Sequence, residues 1–295
     1  DNFCKTIDVR WFNISFNLLD LNTKQLKLVK SISFKIINDF SKSFVNFVIS
    51  DKESVNPNAA LISSQLILDI SKINDNGFDN FRFGVSLNPV NGTPFFPFSF
   101  SEKQHSFSFA VETTQAISNV IKKNIKKNNL EKLKPIIIKN ICHDVEKIDS
   151  IGKTISSNNK LIYWGQDLSL SPYPNEKVSV LNILNLLGLS DFGSNGTLFL
   201  TSYLTGILKK IISDSKIKFT GFNGVMYSLL EDHLLAEANN KKLISIDKII
   251  SYSTMCGCGL DMVPVPGSFL TEELASVILD ISTISIRLNK PLGVR

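Results

Sequence analysis

Hydrophobic and polar positions along this chain follow two alternating rhythms. "IDVRWFNISF" (Ile7–Phe16) alternates roughly every second residue and is rich in β-branched and aromatic side chains, which predicts a strand. "KQLKLVKSISFKIINDF" (Lys24–Phe40) places Leu28, Ile32 and Ile36 at helical spacing, with Val29 and Phe40 on the same side. That spacing predicts an amphipathic helix with this stripe as its core face. "FVNFVIS" is a second strand and "AALISSQLILDISKI" (Ala59–Ile73) a second helix. "FRFGVSL" (Phe81–Leu87) and "SFSFAVE" (Ser106–Glu112) predict strands joined by the loop "NPVNGTPFFPFSF". Helices are expected near 113–127 and 130–156, a strand over Lys160–Leu168, and helices near 177–187 and 197–213. "GFNGVMYSLLEDHLLAEANN" is a glycine-punctuated turn running into a helix. "KLISIDKIISYS" is mostly helical, and Thr271–Asn289 closes the chain as a helix.

Strand and helix patterns thus alternate from end to end. This order implies an α/β architecture with a largely parallel sheet. In such folds ligands bind outside the carboxyl ends of the strands, so the loops that follow strands are where chemistry is expected.

Composition narrows the class. The 295 residues are 43% hydrophobic and 20% charged, enough apolar material for a substantial core. The net charge of +5 comes from scattered lysines, and the densest run, "IKKNIKKNNLEKLK" (Ile121–Lys134), has no interleaved aromatics. It is a solvated helix face, and no nucleic-acid partner is expected. No run of about eighteen apolar residues occurs, so no membrane span is expected. The four cysteines, Cys4, Cys142, Cys256 and Cys258, are too few for a disulfide framework. With no signal-peptide pattern at the start, the chain reads as cytoplasmic with free thiols.

Four stretches carry candidate chemistry. "YWGQDLSLSPYP" sets Asp167 at the end of a strand, as a pocket group or as an Asx-turn residue bonding its own loop. "GFNGVMYSLLEDHLLAEA" brings Glu231, Asp232 and His233 together, as a metal or general-base site or as acids complementing a helix dipole. "MCGCGLDMVPVPG" holds Cys256 and Cys258 between glycines, with Asp261 following. A structural zinc site needs four ligands and no second pair accompanies this one. A reactive thiol in a glycine-rich turn and a plain tight turn both fit. "NGTPFFPFSF" is a rigid, partly buried aromatic loop. No P-loop, G-x-G-x-x-G, G-x-S-x-G or H-E-x-x-H pattern is present.

Taken in order, these stretches resemble one family, proteins with domain of unknown function 711, also called uncharacterised protein family 0210. "FRFGVSLNPVNGTPFFPFSF" resembles its Pro-Phe-Phe-Pro box, and "SFAVETTQAI" its following strand and helix, with Glu112 on the matching acid. "YWGQDLSLSPYP" is similar to its Gly-x-Asp-Leu-Ser-x-x-Pro segment. "LGLSDFGSNGTLFLTSYLTGILKK" resembles its Gly-x-x-Gly-Thr helix lead-in. "STMCGCGLDMVPVPG" resembles its Ser-x-x-Cys-Gly-x-Gly-Leu-Asp signature, with Cys256 on the family cysteine and Cys258 where a small residue is usual. Ser268 and Phe269 stand where the family continues Asp-Thr, and the chain stops where family members run on.

The resemblance implies one α/β domain over residues 1–295, shortened at its C-terminus, on a barrel of the pyruvate formate-lyase-like type with surrounding helices. Glycyl radical enzymes with that barrel use a loop cysteine as radical carrier. The glycine loop they need is missing, so no glycyl radical is expected here. The expectation is an enzyme acting on a small polar metabolite, with Cys256 as nucleophile or redox thiol and Asp167, Glu231 and Asp261 as acid–base groups. Glu231 and Asp232 are the candidate ligands for a divalent metal. The alternative is a non-catalytic metabolite-binding or assembly protein, in which a homo-oligomer is allowed.

Overall fold

The computed structural model describes residues 2–103, 105–174 and 178–295. In chain order the elements are α1 (Asn2–Thr6), β1 (Phe12–Asn17), α2 (Thr23–Asp39), β2 (Ser43–Ser50), α3 (Pro57–Ile70), β3 (Phe83–Leu87) and β4 (Ser106–Ala110). They continue with α4 (Thr114–Asn124), α5 (Leu130–Asn159), β5 (Ile162–Asp167), α6 (Val180–Leu186), α7 (Thr197–Asp214) and α8 (His233–Asn240). The last are α9 (Ile246–Ser253), β6 (Gly259–Leu260), α10 (Thr271–Leu288) and β7 (Leu292–Val294). The expected alternation holds, with pairing that is mainly parallel, and a closed barrel is not shown. The start of the helix expected from 177 lies outside the described residues; the helix itself runs from Val180. The strand expected from Ile7 begins only at Phe12, because Asp8 sits at φ 52°, a left-handed turn that no strand continues through.

The chain divides into two compact units. The first comprises Asp1–Pro89, Phe95–Phe100 and Pro264–Arg295. Strands β1 and β2, and β2 and β3, pair in parallel, and β7 adds antiparallel to β3. Ile14, Phe16, Val45, Phe47, Phe83 and Val85 share one face through this register, and Phe47 meets Phe16 and Phe83 edge-on at 6.2 and 4.9 Å. Local hydrogen bonds start the helices. Asn22 and Gln25 form a capping box on α2. Asn56 caps α3, and its amide also donates to the carbonyls of Leu18, Leu19 and Leu21, pinning the turn after β1. The other sheet face carries a polar ladder. Asn46 donates to Ser15 Oγ at 3.1 Å, Ser86 Oγ donates to Asn46 Oδ1 at 2.8 Å, and Asn13 and Ser15 both donate to the Ser99 carbonyl. The Pro-Phe-Phe-Pro segment lies across this face, with Phe96 against Phe44 and the Phe98 ring directly over Gly84 and Gly293. A Cβ at either glycine would collide with that ring, so the glycines make the seat.

One expectation is corrected in α2. The side chains it buries are Leu26, Ser33 and Ile37, whereas Leu28 is 61% and Ile32 41% exposed. The strongest apolar periodicity points outward because the narrower face with Ser33 at its centre meets the sheet.

The second unit comprises Val90–Pro94 and Ser101–Val263. Strands β4 and β5 pair in parallel from Ser106 opposite Ile162 to Ala110 opposite Asp167. The pairing runs on beyond the strands. Thr113 N donates to Ser169 O, Thr220 N to Gln166 O, Met226 N to Leu170 O and Leu229 N to Asp261 O. With the parallel bridges Gln166–Phe219, Leu170–Val225 and Ser228–Asp261, four chain segments lie side by side. Helix α5 buries Leu133, Ile137, Ile141, Val145, Asp149 and Gly152 along one ridge. Gly152 gives the Tyr163 ring its place, since a Cβ there would meet the ring carbons.

Candidate functional site

Every candidate residue named from the sequence falls in the second unit, at or beyond the carboxyl ends of its parallel segments. Asp167 is the last residue of β5 and is fully buried. Its Oδ1 accepts from Ser169 N (2.9 Å), Ser169 Oγ (2.6 Å) and Asn223 N (3.1 Å), and its Oδ2 accepts from Phe222 N (2.6 Å). Gly221, at φ 83°, closes against Oδ2, where a Cβ would overlap the carboxylate. Asn223 returns the contact by accepting from Leu168 N at 3.0 Å. Burial pushes the Asp167 carboxyl above its usual range, and the four donors offset part of that push. Asp167 therefore organises the loop 220–224, as an Asx-type residue does.

Asp232 is equally committed. It caps α8 through Leu234 N and Leu235 N. The same carboxylate accepts from Ser179 Oγ (2.7 Å), Val180 N (2.7 Å) and Leu181 N (3.3 Å) at the start of α6. One buried carboxylate thus satisfies donors at two helix N-termini, where the backbone dipoles favour negative charge. His233 opens α8, and its Nδ1 has no hydrogen-bond partner among the described residues.

The C-x-C loop follows α9. Cys256 N donates to Tyr252 O, and Gly257 N donates to Val225 O at 2.6 Å. Gly257 lies backbone to backbone on Gly224, and a Cβ on either would meet the other's main chain. This contact brings the Asp167 loop and the C-x-C loop together, because Gly224 N also donates to Ser169 Oγ. Cys256 is 1% exposed and Cys258 fully buried, and each sulfur lies about 4 Å from the Gly259 carbonyl (3.9 and 4.0 Å). The Cys258 thiol is held well above the ordinary range, first by its hydrogen bond with Cys256, then by burial and by the negative charges of Cys256 and Asp261. Tyr227 shares this neighbourhood. Its hydroxyl meets Thr201 Oγ1 at 2.6 Å and its ring packs on Phe192 and Tyr252 at 4.9 and 6.3 Å.

The remaining carboxylates behave differently. The Ser228 hydroxyl donates to Glu231 Oε2, and Ser228 is bridged to the buried Asp261. Glu231 is half-buried, and Glu112, just past β4, is the more exposed of the two. The Glu112 carboxyl is pushed up by desolvation and then by the negative charge of Glu231. Ser171 completes the group. It is 6% exposed and its hydroxyl has no hydrogen-bond partner among the described residues, while Thr114 Oγ1 holds its carbonyl. Glu112, Ser171, Ser228, Glu231 and Asp261 thus occupy the ends of neighbouring segments. Ser171 gave no sequence signal beyond its place after a predicted strand, and Ser228 none beyond its place in the glycine-punctuated turn. The Gly224–Gly257 contact could have been sought in the two glycine-punctuated stretches "GFNG" and "CGCG".

Among the described residues, no three His, Cys, Asp or Glu side chains are grouped to hold a metal ion. The oxygens of Asp232 already take five donors. Nor, among the described residues, is any helix long and apolar enough to cross a membrane. All four cysteines are free of disulfides.

The molecule is thus a mixed α/β protein whose parallel segments gather carboxylates and hydroxyls at their carboxyl ends. Over residues 1–295 it matches the family model described as Uncharacterised ACR (DUF711), and the chain belongs to that family. Similar curated proteins carry the name UPF0210 protein. One from Pyrobaculum aerophilum is 26% identical over 256 residues, which is 85% of this chain and 55% of that protein. One from Clostridium perfringens is 26% identical over 276 residues, 92% of this chain and 60% of the relative. One from Lactobacillus delbrueckii subsp. bulgaricus is 28% identical over 252 residues, 83% of this chain and 55% of the relative. The chain therefore spans between half and two thirds of the length of these relatives.

Proposed function

We propose that the carboxyl ends of the second unit's parallel segments bind a small polar metabolite and act on it by acid–base chemistry, with Glu112 and Glu231 as the working pair. The observation that carries this reading is the Glu112–Glu231 neighbourhood. The Glu112 carboxyl is raised first by desolvation and then by the negative charge of Glu231, so Glu112 is the group that holds its proton more tightly than usual. Glu112 then serves as general acid, and Glu231, oriented by the Ser228 hydroxyl, as general base. The charge acting on Glu112 is negative, which favours a ligand bearing hydroxyl or amino groups over a phosphate or carboxylate. Asp261 lines the same end, and Ser171 offers an uncommitted hydroxyl.

Cys256 and Asp167 enter the proposal as supports. Cys256 lies under Tyr227 in a closed loop, and a thiol nucleophile needs exposure and a lowered pKa. Asp167 has its oxygens occupied by the loop it folds. The test is a thermal-shift and calorimetric screen of neutral, amino and phosphorylated metabolites against wild type, Glu112→Gln and Glu231→Gln. Amino or hydroxylated compounds should stabilise the wild type, and each variant should bind at least tenfold more weakly. Equal binding by the variants, or a preference for phosphorylated compounds, overturns the reading. Iodoacetamide labelling of the folded protein checks the supporting role of Cys256: rapid modification with loss of ligand binding would restore it as the nucleophile.

A further inference from the structure

The net charge is less evenly spread than the scatter of lysines along the chain suggests. The run Ile121–Lys134 holds six lysines and one glutamate, a net +5 that equals the charge of the whole chain. The other 26 basic residues are balanced by 26 acids. In the fold this run is the corner where α4 ends, a 3-10 turn follows over Ile125–Lys127, and α5 begins. Lys122, Lys123, Lys126, Lys127 and Lys132 are exposed, and among the described residues none of them joins an ion pair. Helix stability accounts for only part of this. The negative end of the α4 dipole favours Lys122 and Lys123 in its last turn. Lys132, the third residue of α5, stands where that helix's dipole disfavours a cation. An apolar tip stands beside the corner. Helices α5 and α7 run side by side in the same direction: the Tyr203 hydroxyl donates to the Leu130 carbonyl at 2.6 Å, and further along the charge of Asp214 reaches Cys142. Phe199, one turn before Tyr203 on the same face of α7, therefore lies level with the turn that precedes α5. Phe199 is 61% and Leu198 38% exposed.

We propose that this corner is a peripheral contact surface for an anionic lipid bilayer, with the lysines on the headgroups and Phe199 entering the boundary with the acyl chains. A lysine near such a surface strengthens binding about fivefold, so several acting together hold a protein there without any span. The exposed ring adds apolar burial, and aromatic side chains favour that boundary. A nucleic acid fits less well. All six cations are lysines, with no arginine to hold a phosphate or a base edge through two bonds, and no ring within the run stacks on bases. A second copy of this chain would set lysine against lysine. The corner is the far end of α4 from Glu112, roughly 15 Å along the helix axis, so this surface is separate from the candidate site.

The test is sedimentation of the chain with vesicles of phosphatidylcholine alone and of phosphatidylcholine with about 30% phosphatidylserine, which carry a negative surface potential. Binding is expected only to the second kind, and it should fall steeply as salt rises from about 0.1 M to about 0.5 M and the Debye length shrinks. Lys122→Gln, Lys123→Gln, Lys126→Gln and Lys127→Gln together should weaken it by about a hundredfold or more. Lys24→Gln, Lys27→Gln, Lys35→Gln and Lys72→Gln together remove the same charge from exposed positions of the first unit. That variant should stay within about twofold of wild type, since charges distant from the contact are screened. Phe199→Ser should weaken binding about tenfold while the salt dependence persists. All these positions are exposed, so the variants should melt as the wild type does. Three results overturn the proposal: no binding to the anionic vesicles, equal loss in the two lysine variants, or binding indifferent to Phe199→Ser. A single-stranded RNA oligonucleotide held more tightly than the vesicles through the same lysines would also overturn it and assign the corner to nucleic acid.

Discussion

The polar face of the first unit's sheet and the strand ends of the second unit are built from similar short side chains, yet their chemistry differs. Asn13, Ser15, Asn46 and Ser86 bond one another and the Ser99 carbonyl, and all are neutral. The aromatic Pro-Phe-Phe-Pro segment lies over them. The second unit gathers ionisable groups. Two of its carboxylates, Asp167 and Asp232, are surrounded by backbone donors, and two, Glu112 and Glu231, act on each other. Polar residues whose partners lie within the fold hold structure. Those left acting on one another or without a partner, Ser171 among them, are where a ligand gains most.

The largest expected effect comes from the structural carboxylates. Asp167→Ala removes the acceptor of four donors and leaves the buried N–H of residue 169 and the partly buried N–H groups of residues 222 and 223 without that partner. The expected cost is about 4 kcal/mol in denaturant unfolding. A loss under about 1 kcal/mol would place Asp167 with the functional acids instead. Gly224→Ala comes next, at about 3 kcal/mol, since its Cβ meets the Gly257 main chain and no side chain can swing aside. In the first unit, Asn46→Ala should cost about 2 kcal/mol, because it strips partners from Ser15 and Ser86 at once. If Asn46→Ala instead weakened ligand binding without changing stability, the contrast between the two polar surfaces would fail.

The smallest effect is a pH dependence. The folded Glu112 has a pKa above its ordinary value of 4.5, so the folded state holds its proton more tightly than the unfolded chain does. Glu112 therefore costs stability as pH rises past 4.5, and the cost levels off above the raised value. Glu112→Gln should flatten that part of the stability–pH curve, and Glu231→Gln should flatten it in part by removing the neighbouring charge. Unchanged curves in both variants would dissolve the pair on which the acid–base proposal stands.

Much of this was legible in the sequence because it depends on local rules. The alternation of strand and helix and the placement of candidate acids after strands or turns need only neighbours a few residues apart. The family followed from short motifs in a fixed order. Tertiary structure decided the rest. Helical periodicity marks an apolar face without naming what covers it, so Leu28 and Ile32 read as core in the sequence and stand outside the core in the fold. Residue type alone does not separate Asp167 and Asp232, wrapped in backbone N–H groups, from Glu112 and Glu231. Those donors come from segments about 50 residues away, at Phe222 and Asn223 for Asp167 and at Ser179 and Val180 for Asp232. A carboxylate's role is set by the donors and charges that reach it, and long-range folding alone delivers them.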